Sequence, residues 1–398
     1  MTQVPVILFG DGIAAYGAIR ALGPKRIPIY VVSPKGDGVC NASRYVKKGL
    51  LIDANDSNFI DKLRGWICRE VGSEAVLMVA GDDNYLDSLS KNYDYLGPNL
   101  KPTFPSWDVV QKVRQKRETY QIAERIGIPV PKTCYVTSEH DLHNFLASGM
   151  NGNYPLLMKS EHSKDFMNKY GTKGIISHCE KDIIENYSRY EGFFGKLLLQ
   201  EMIPGGENQL LNLIGIYNRN ADPVQIFMNR KRRSSGQFLS CTLMETMWSI
   251  DVLEYSNRLV KEIGYFGYAN PEYKYDVRDG RIKLMEINGR ISMSNSHALC
   301  CGLNIIYTLY EEALEGPLES VTKPNRDYPD NVLWWMPAED LAAAIEMFKQ
   351  GSLGLSEYIN SLRGSRYIFE PINLRDPNVL KSQVLTLFRA LISRIIGA

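Results

Sequence analysis

The chain has 398 residues, more than one ordinary hydrophobic core organises, so two or three packed units are expected. Hydrophobic residues make up 44% and charged residues 23%, and 46 Lys+Arg stand against 45 Asp+Glu, a balance with no electrostatic footprint for nucleic acid. The seven cysteines include no CxxC pair and the five histidines no HxxxH spacing, which argues against a disulfide framework, structural zinc or zinc hydrolysis.

The opening MTQVPVILFGDG lacks a basic region followed by a long apolar core, so no secretory signal is expected. The longest uncharged run, 291–310, is broken by Ser292, Ser294, Asn295, Ser296, His297 and Asn304 and is too polar to span a membrane. These features predict a reduced, cytoplasmic setting.

In chain order, VPVILFG (4–10) reads as a buried parallel strand, IAAYGAIRAL (13–22) as a helix, and IPIYVVS (27–33) and AVLMVAG (75–81) as further strands. Strand, glycine turn, helix, strand is the signature of a parallel α/β unit. KVRQKRETYQIAERIG (112–127) has a helical period and stops at Gly127. YPLLMKS (154–160) and KLLLQEM (196–202) read as strands, with a polar, glycine-containing stretch at 161–174 after the first. LLNLIGIYN (210–218) and PVQIFMNRKRR (223–233) read as antiparallel strands, 252–264 as a helix, and 270–289 as a hairpin turning at Asp279–Gly280. From about 316 the chain reads as mostly helical. Its end, 379–398, carries apolar residues at 380, 384, 387, 388, 391 and 395, one stripe of a helix.

Several clusters carry chemistry. GDG at 10–12 with Gly17 departs from the dinucleotide spacing GxGxxG, and no acid ends the second strand, so either a tight strand-to-helix turn or a substrate-facing loop is expected rather than a nicotinamide site. Lys159 ends an apolar strand and is followed by YGTKG (170–174), whose Gly171 and Gly174 bracket Lys173. Such a loop can lay backbone N–H groups on phosphate oxygens, although no Walker A sequence is present. In QEMIPGGE (200–207), Glu201, Met202 and Ile203 at a strand end suit a slot for adenine, and Glu207 suits ribose hydroxyls.

The strongest local pattern is acidic. Glu286 and Asn288 are two apart on one strand and so share a face, and the hairpin brings Glu272 alongside. Three oxygen donors on one face make a hard-cation site suited to magnesium held jointly with phosphates. Arg290 falls two residues further on the same face. In the basic run NRKRR (229–233), Arg230 and Arg233 could hold a phosphoryl group or a carboxylate, against the plainer reading of a solvated face.

Taken together, GDGIAAYGAIRALG, SRY (43–45), KRETYQIAERIGIPVP, YPLLMKS, QEMIPGGE, GYFGYANPEYKYD and EINGR resemble, in order and spacing, the ATP-grasp superfamily and its carboxylate–amine ligase branch, which includes D-aspartate ligases and the pyrrolysine-pathway ligase. The resemblance covers most of the chain. It implies an α/β plus α+β architecture: an N-terminal parallel-sheet pre-ATP-grasp domain (1–105), a small lobe with its leading helix (106–198), a large lobe with the metal site (199–315) and a mostly helical C-terminal extension (316–398). It also implies ATP and Mg2+ as cofactors, with two ions and Mn2+ as a substitute. Lys159 would contact the α- and β-phosphates, the loop 169–174 would close on the phosphates, Glu201 and the following backbone would bind adenine, and Glu207 the ribose. Glu272, Glu286 and Asn288 would hold the metal, with Arg230 and Arg290 at the γ-phosphate.

The implied reaction joins a small-molecule carboxylate, activated as an acyl phosphate, to an amine, one partner being an amino acid, with release of ADP and phosphate. A biotin-carboxylase-like enzyme and a non-catalytic ATP-binding protein are the alternatives within the fold. The basic residues on 379–398 leave two readings for that segment, a weak membrane-surface contact or packing against its own domain or a homodimer partner.

Overall fold

The computed structural model describes residues 3–147, 155–160, 163–172, 174–190, 197–236, 240–321, 326 and 328–383. The 379–398 stripe therefore lies largely outside the described residues, as does Lys173.

Three sheets organise the chain. The first is parallel, β1 (Val6–Phe9), β2 (Ile29–Ser33), β3 (Val46–Leu51), β4 (Ala75–Val79) and β5 (Leu100–Pro102), in the order β3-β2-β1-β4-β5. Every residue of β1 is fully buried, as expected of a strand covered on both faces. The second is antiparallel, β6 (Thr133–Val136), β7 (Leu156–Ser160), β8 (Ile175–Ser177) and β9 (Leu197–Glu201), in the order β6-β9-β7-β8. The third has seven strands, β10 (Leu210–Tyr217), β11 (Pro223–Ser234), β12 (Cys241–Thr246), β13 (Gly267–Asp276), β14 (Arg281–Asn288), β15 (Val332–Trp335) and β16 (Arg366–Phe369), in the order β14-β13-β10-β11-β12-β15-β16. The predicted hairpin is β13–β14, closed by Gly280 N donating to Asp276 O at 2.9 Å.

The helix Ile250–Ile263 shows how local sequence sets these elements. Ser249 accepts from Val252 N at its start, Gly264 adopts φ 75° at its end, and Val252, Leu253, Leu259, Val260 and Ile263 form a stripe that buries against the large sheet.

The first and third sheets are welded at their ends. Ile291, just past β14, exchanges backbone hydrogen bonds with the end of β4: Ile291 N to Val79 O at 3.0 Å and Gly81 N to Ile291 O at 3.0 Å. Gly10, at the end of β1, has φ +117°, and a Cβ there would stand 2.1 Å from Ala80 O, so only glycine permits this approach. GDG is thus a tight turn at the seam, where the Asp11 carboxylate accepts from Gly38 N at 3.2 Å.

Three expectations change. The helix predicted over 112–127 is two helices, Trp107–Arg114 and Lys116–Arg125, with Gln115 extended between them. Neither Pro nor Gly explains the break. The Thr119 hydroxyl takes the Lys112 carbonyl at 2.6 Å, replacing an intrahelical bond. The stretch 161–174, read as a polar loop, contains the helix Ser163–Tyr170, anchored by the fully buried Phe166 against Tyr170 and Tyr190. The region read as mostly helical from about 316 also carries β15 and β16, a parallel pair that extends the large sheet.

Candidate functional site

The candidate site lies where β7 of the second sheet comes within electrostatic reach of β13 and β14 of the third. Glu286 on β14 stands in register opposite Glu272 on β13, which stands opposite Asn212 on β10, which stands opposite Asn229 on β11. Cross-strand partners share a face, so the hairpin does bring Glu272, Glu286 and Asn288 together. Asn288 Nδ2 donates to Glu272 Oε1 at 3.2 Å and lies 3.4 Å from Glu286 Oε1.

Cations converge on this pair from three directions. Lys116, turned inward by the break at Gln115, reaches Glu286 at 3.4 Å, and Lys231 reaches Glu272 at 3.6 Å. Lys159 arrives on β7 and donates to Gln200 Oε1 at 3.2 Å. Partial burial pushes Glu286 up, but Lys116, Lys159 and Lys231 together outweigh it and hold the carboxyl down to about 2, with 42% of its side-chain surface exposed. For Glu272 burial prevails: with Glu286 beside it, and against Lys231 and Arg290, its carboxyl is held above the usual range. Burial likewise lowers the Lys159 ammonium to about 8, with repulsion from Lys116 adding and Glu286 opposing.

Two carboxylates flanked by lysines fit a hard divalent cation shared with phosphate oxygens, because magnesium needs only one or two protein carboxylates when phosphates complete its shell. No group of three or more His, Cys, Asp or Glu side chains gathers among the described residues, so an all-protein cage is not on offer there.

Other predicted site residues are placed differently. Arg230 is in register with Leu211 and Glu245, on the face opposite Lys231, and its guanidinium pairs with Glu245. Arg233 forks Asp340 at 2.7 and 2.9 Å and is buried. Arg290 follows the acidic strand as expected, but its Nε and Nη2 edge is held by Asp83 at 2.7 and 3.3 Å, and Arg114 braces Asp83 at 3.5 Å. The Glu201 carboxylate turns inward instead of towards a base edge. It accepts from Lys132 N at 2.9 Å, Lys283 at 2.9 Å and Arg278 at 2.7 Å, a network that also contains Asp276. Burial of Glu201 is more than offset by these donors, and its carboxyl is held below the ordinary range. Met202 and Ile203 follow in the turn, where Lys274 donates to Ile203 O at 2.8 Å. Glu207 accepts from the Ser234 hydroxyl at 2.7 Å.

The glycine loop also changes. Gly171 N donates to Met167 O at 2.8 Å with φ +72°, the geometry of a helix C-terminal glycine, and Gly174 N lies 3.3 Å from the Thr172 hydroxyl. The Gly171 and Gly174 N–H groups are therefore engaged locally, and Lys173 between them lies outside the described residues.

Sequence reasoning missed Lys116, Lys231 and Asp83. Alternation along NRKRR does separate 229 and 231 from 230 and 232. Only the register of β11 on β10 says which pair meets the acids.

Comparison with known proteins bears on the fold. A family model described as carbamoyl-phosphate synthase L chain, ATP binding domain, matches residues 240–321, the span that contains Glu272, Glu286, Asn288 and Arg290. The D-aspartate ligase of Enterococcus faecium (strain Aus0004) is 21% identical over 310 residues, 72% of this chain and 73% of that protein. Among solved structures, the ADP complex of N5-carboxyaminoimidazole ribonucleotide synthetase superposes with a TM-score of 0.62 at 16% identity, covering 80% of each chain. Biotin carboxylase from Campylobacter jejuni superposes with a TM-score of 0.63 at 16% identity, covering 83% of this chain and 75% of that one.

Proposed function

We propose that this chain, which has the ATP-grasp fold, is an ATP-dependent carboxylate–amine ligase working through an acyl phosphate. The observation that carries the reading is the pair Glu272–Glu286, side by side on one sheet and met by Lys116 from the helix Lys116–Arg125, Lys159 from β7 and Lys231 from β11. Such a site cancels charge where two anions, a carboxylate and a triphosphate, have to meet.

In this reading Glu272, Glu286 and Asn288 hold Mg2+, which when bound supplies Lewis-acid neutralisation of the phosphate oxygens. Lys159 and Lys116 hold the triphosphate. Adenine lies at the turn Met202–Ile203, with Glu201 bracing that turn rather than touching the base, and ribose lies near Glu207. Lys231 takes the place expected of Arg230 beside the reacting phosphoryl group. Arg290, oriented by Asp83, presents its remaining guanidinium N–H groups to the substrate side.

A substrate carboxylate oxygen attacks the γ-phosphorus, the bond to the bridging oxygen breaks, and ADP leaves. The amine nitrogen then attacks the acyl carbon, phosphate leaves with the C–O bond electrons, and the amine proton passes to solvent. One partner is an amino acid, in line with what the Enterococcus relative's name says of that protein. A cytoplasmic setting belongs to the same proposal, supported by seven unbonded cysteines. Among the described residues no helix is long and apolar enough to cross a membrane.

The test is ADP and phosphate release with ATP and Mg2+ against amino acids offered singly and in pairs. Release that requires both an acid and an amine supports the ligase. ADP formation without an amine, or with bicarbonate alone, would replace it by a phosphorylating or carboxylating enzyme.

Lys159 yields a pH prediction. Its free ammonium titrates near 8, and a bound polyphosphate favours the charged form. ATP binding is therefore expected to take up a proton between pH 8 and 9, and affinity to fall by up to about tenfold per pH unit above 8. Calorimetry in two buffers of different ionisation enthalpy reads the uptake directly. Identical enthalpies at pH 8.5 would remove Lys159 from the phosphate site.

A further inference from the structure

The acidic row does not end at Glu272. Asn212, its neighbour on β10, begins a chain of buried polar side chains that the reaction above leaves unused. Asn212 Nδ2 donates to Asn229 Oδ1 at 3.2 Å, Asn229 Nδ2 lies 3.3 Å from His297 Nδ1, and His297 Nε2 lies 3.0 Å from the Val332 carbonyl oxygen. Asn212 is 3% exposed, and Asn229 and His297 are fully buried.

The direction of every bond in this chain is dictated from its far end. A carbonyl oxygen has no proton, so His297 Nε2 must carry one and donate it. Burial pushes the imidazole down to about 3, so the ring is neutral and Nδ1 can only accept. Asn229 must therefore turn its NH2 group to the ring and its oxygen to β10, and Asn212 must spend its own NH2 group on that oxygen. What remains is Asn212 Oδ1, buried and without a hydrogen-bond partner, on the residue beside Glu272. A buried acceptor left open is rare and costly, and one set next to a carboxylate adds to the negative potential there.

The opposite amide orientation would present an N–H donor, not an acceptor, from the residue paired with Glu272. The relay forbids that orientation. We propose that Asn212 is a positioning residue for the divalent cation of this site, its side-chain oxygen held as an acceptor beside Glu272 by His297 acting through Asn229. This inference rests on the ligase reading, since it presumes that Glu272 and Glu286 take a cation together with nucleotide. Asn212 Oδ1 acts on the ion through its partial negative charge in the row that carries Glu272, and the relay raises ion affinity without any of its members touching the ion.

Mn2+ binding in the presence of ADP, followed by electron paramagnetic resonance on the full chain, tests it independently of turnover. His297→Phe and Asn212→Leu are each expected to weaken Mn2+ binding about tenfold or more, the size of effect seen when groups that orient ligands are removed. The double variant is expected to be no weaker than the worse single one, because both break the same chain. A folded His297→Phe protein that binds Mn2+ like the unaltered chain, or losses that simply add, would overturn the relay. If His297→Phe does not fold, Asn229→Leu takes its place in the same cycle, where weakened, non-additive Mn2+ binding supports the relay and unchanged or additive binding overturns it. Failure of the unaltered chain to bind Mn2+ with ADP would instead overturn the ligase reading, and the relay with it.

Discussion

Exchanging Glu286 for Gln is expected to reduce ADP release by on the order of 100–1,000-fold while leaving the protein folded. The substitution keeps the shape of the side chain and removes only its charge. That charge is what Lys116, Lys159 and Lys231 hold ionised, with the carboxyl down at about 2. Glu272, whose carboxyl burial and the neighbouring Glu286 hold above the usual range against Lys231 and Arg290, is left as a single carboxylate beside the phosphates. Without Glu286 the site keeps three ammonium groups and one carboxylate, a poor place for a dication. Stability should change little. The repulsion between Glu272 and Glu286 disappears as the attraction of Lys116 to Glu286 is lost, and the latter is a 3.4 Å contact at a partly open side chain. Steady-state ADP release and a thermal melt on the same preparation separate the two quantities. Turnover within about threefold of the unaltered protein would make the acidic row an ordinary polar face.

The reach of the sequence can be traced residue by residue. β1, the helix Ile13–Leu22, the β13–β14 hairpin and the shared face of Glu286 and Asn288 were all legible, because each depends on alternation, helical period or a turn pair within one short stretch. The partners of charged groups were not. Asp83 and Arg290 are 207 residues apart, and Lys116 and Glu286 are 170 apart. No local pattern encodes such distances. The Arg230 expectation failed on parity: alternation separates Arg230 from Lys231, but the face each occupies is decided by Asn212 pairing with Asn229 and Leu211 with Arg230. Glu201 ended a strand as predicted, yet its carboxylate went to Lys283 and Arg278, residues of a hairpin whose docking the local sequence does not reveal. Ser163–Tyr170 carried too few apolar residues to show a helix, and Phe166 became its anchor only because Tyr170 and Tyr190 close around it. β15 is four residues long, and its parallel partner β16 lies beyond two intervening helices.

Asp340→Ala is expected to cost about 3–5 kcal/mol, the largest stability loss from a single side chain in this part of the fold. Asp340 sits on the helix Pro337–Lys349 with no exposed side-chain surface, forks Arg233 at 2.7 and 2.9 Å, and accepts from the Thr242 hydroxyl at 2.8 Å. Arg233 in turn donates to Ser361 Oγ at 3.0 Å and stacks 4.7 Å from the Tyr358 ring centroid, while Arg232 Nη1 reaches Ser361 O at 2.6 Å. Two neighbouring arginines of β11 thus hold both C-terminal helices, Pro337–Lys349 and Leu355–Ser361, against the sheet that carries Lys231 and Asn229. Removing the carboxylate strands a guanidinium that is 4% exposed, and an uncompensated buried charge costs far more than the pair contributed. The converse follows from the same argument: Arg233→Met combined with Asp340→Leu removes both charges, and most of the loss should disappear. Urea unfolding of the three proteins, with hydrogen exchange on 337–361 to locate the change, distinguishes the cases. A loss below about 1 kcal/mol for Asp340→Ala would mean that water reaches Arg233 once the carboxylate is gone, and that apolar packing, not the ion pair, fastens these helices to β11.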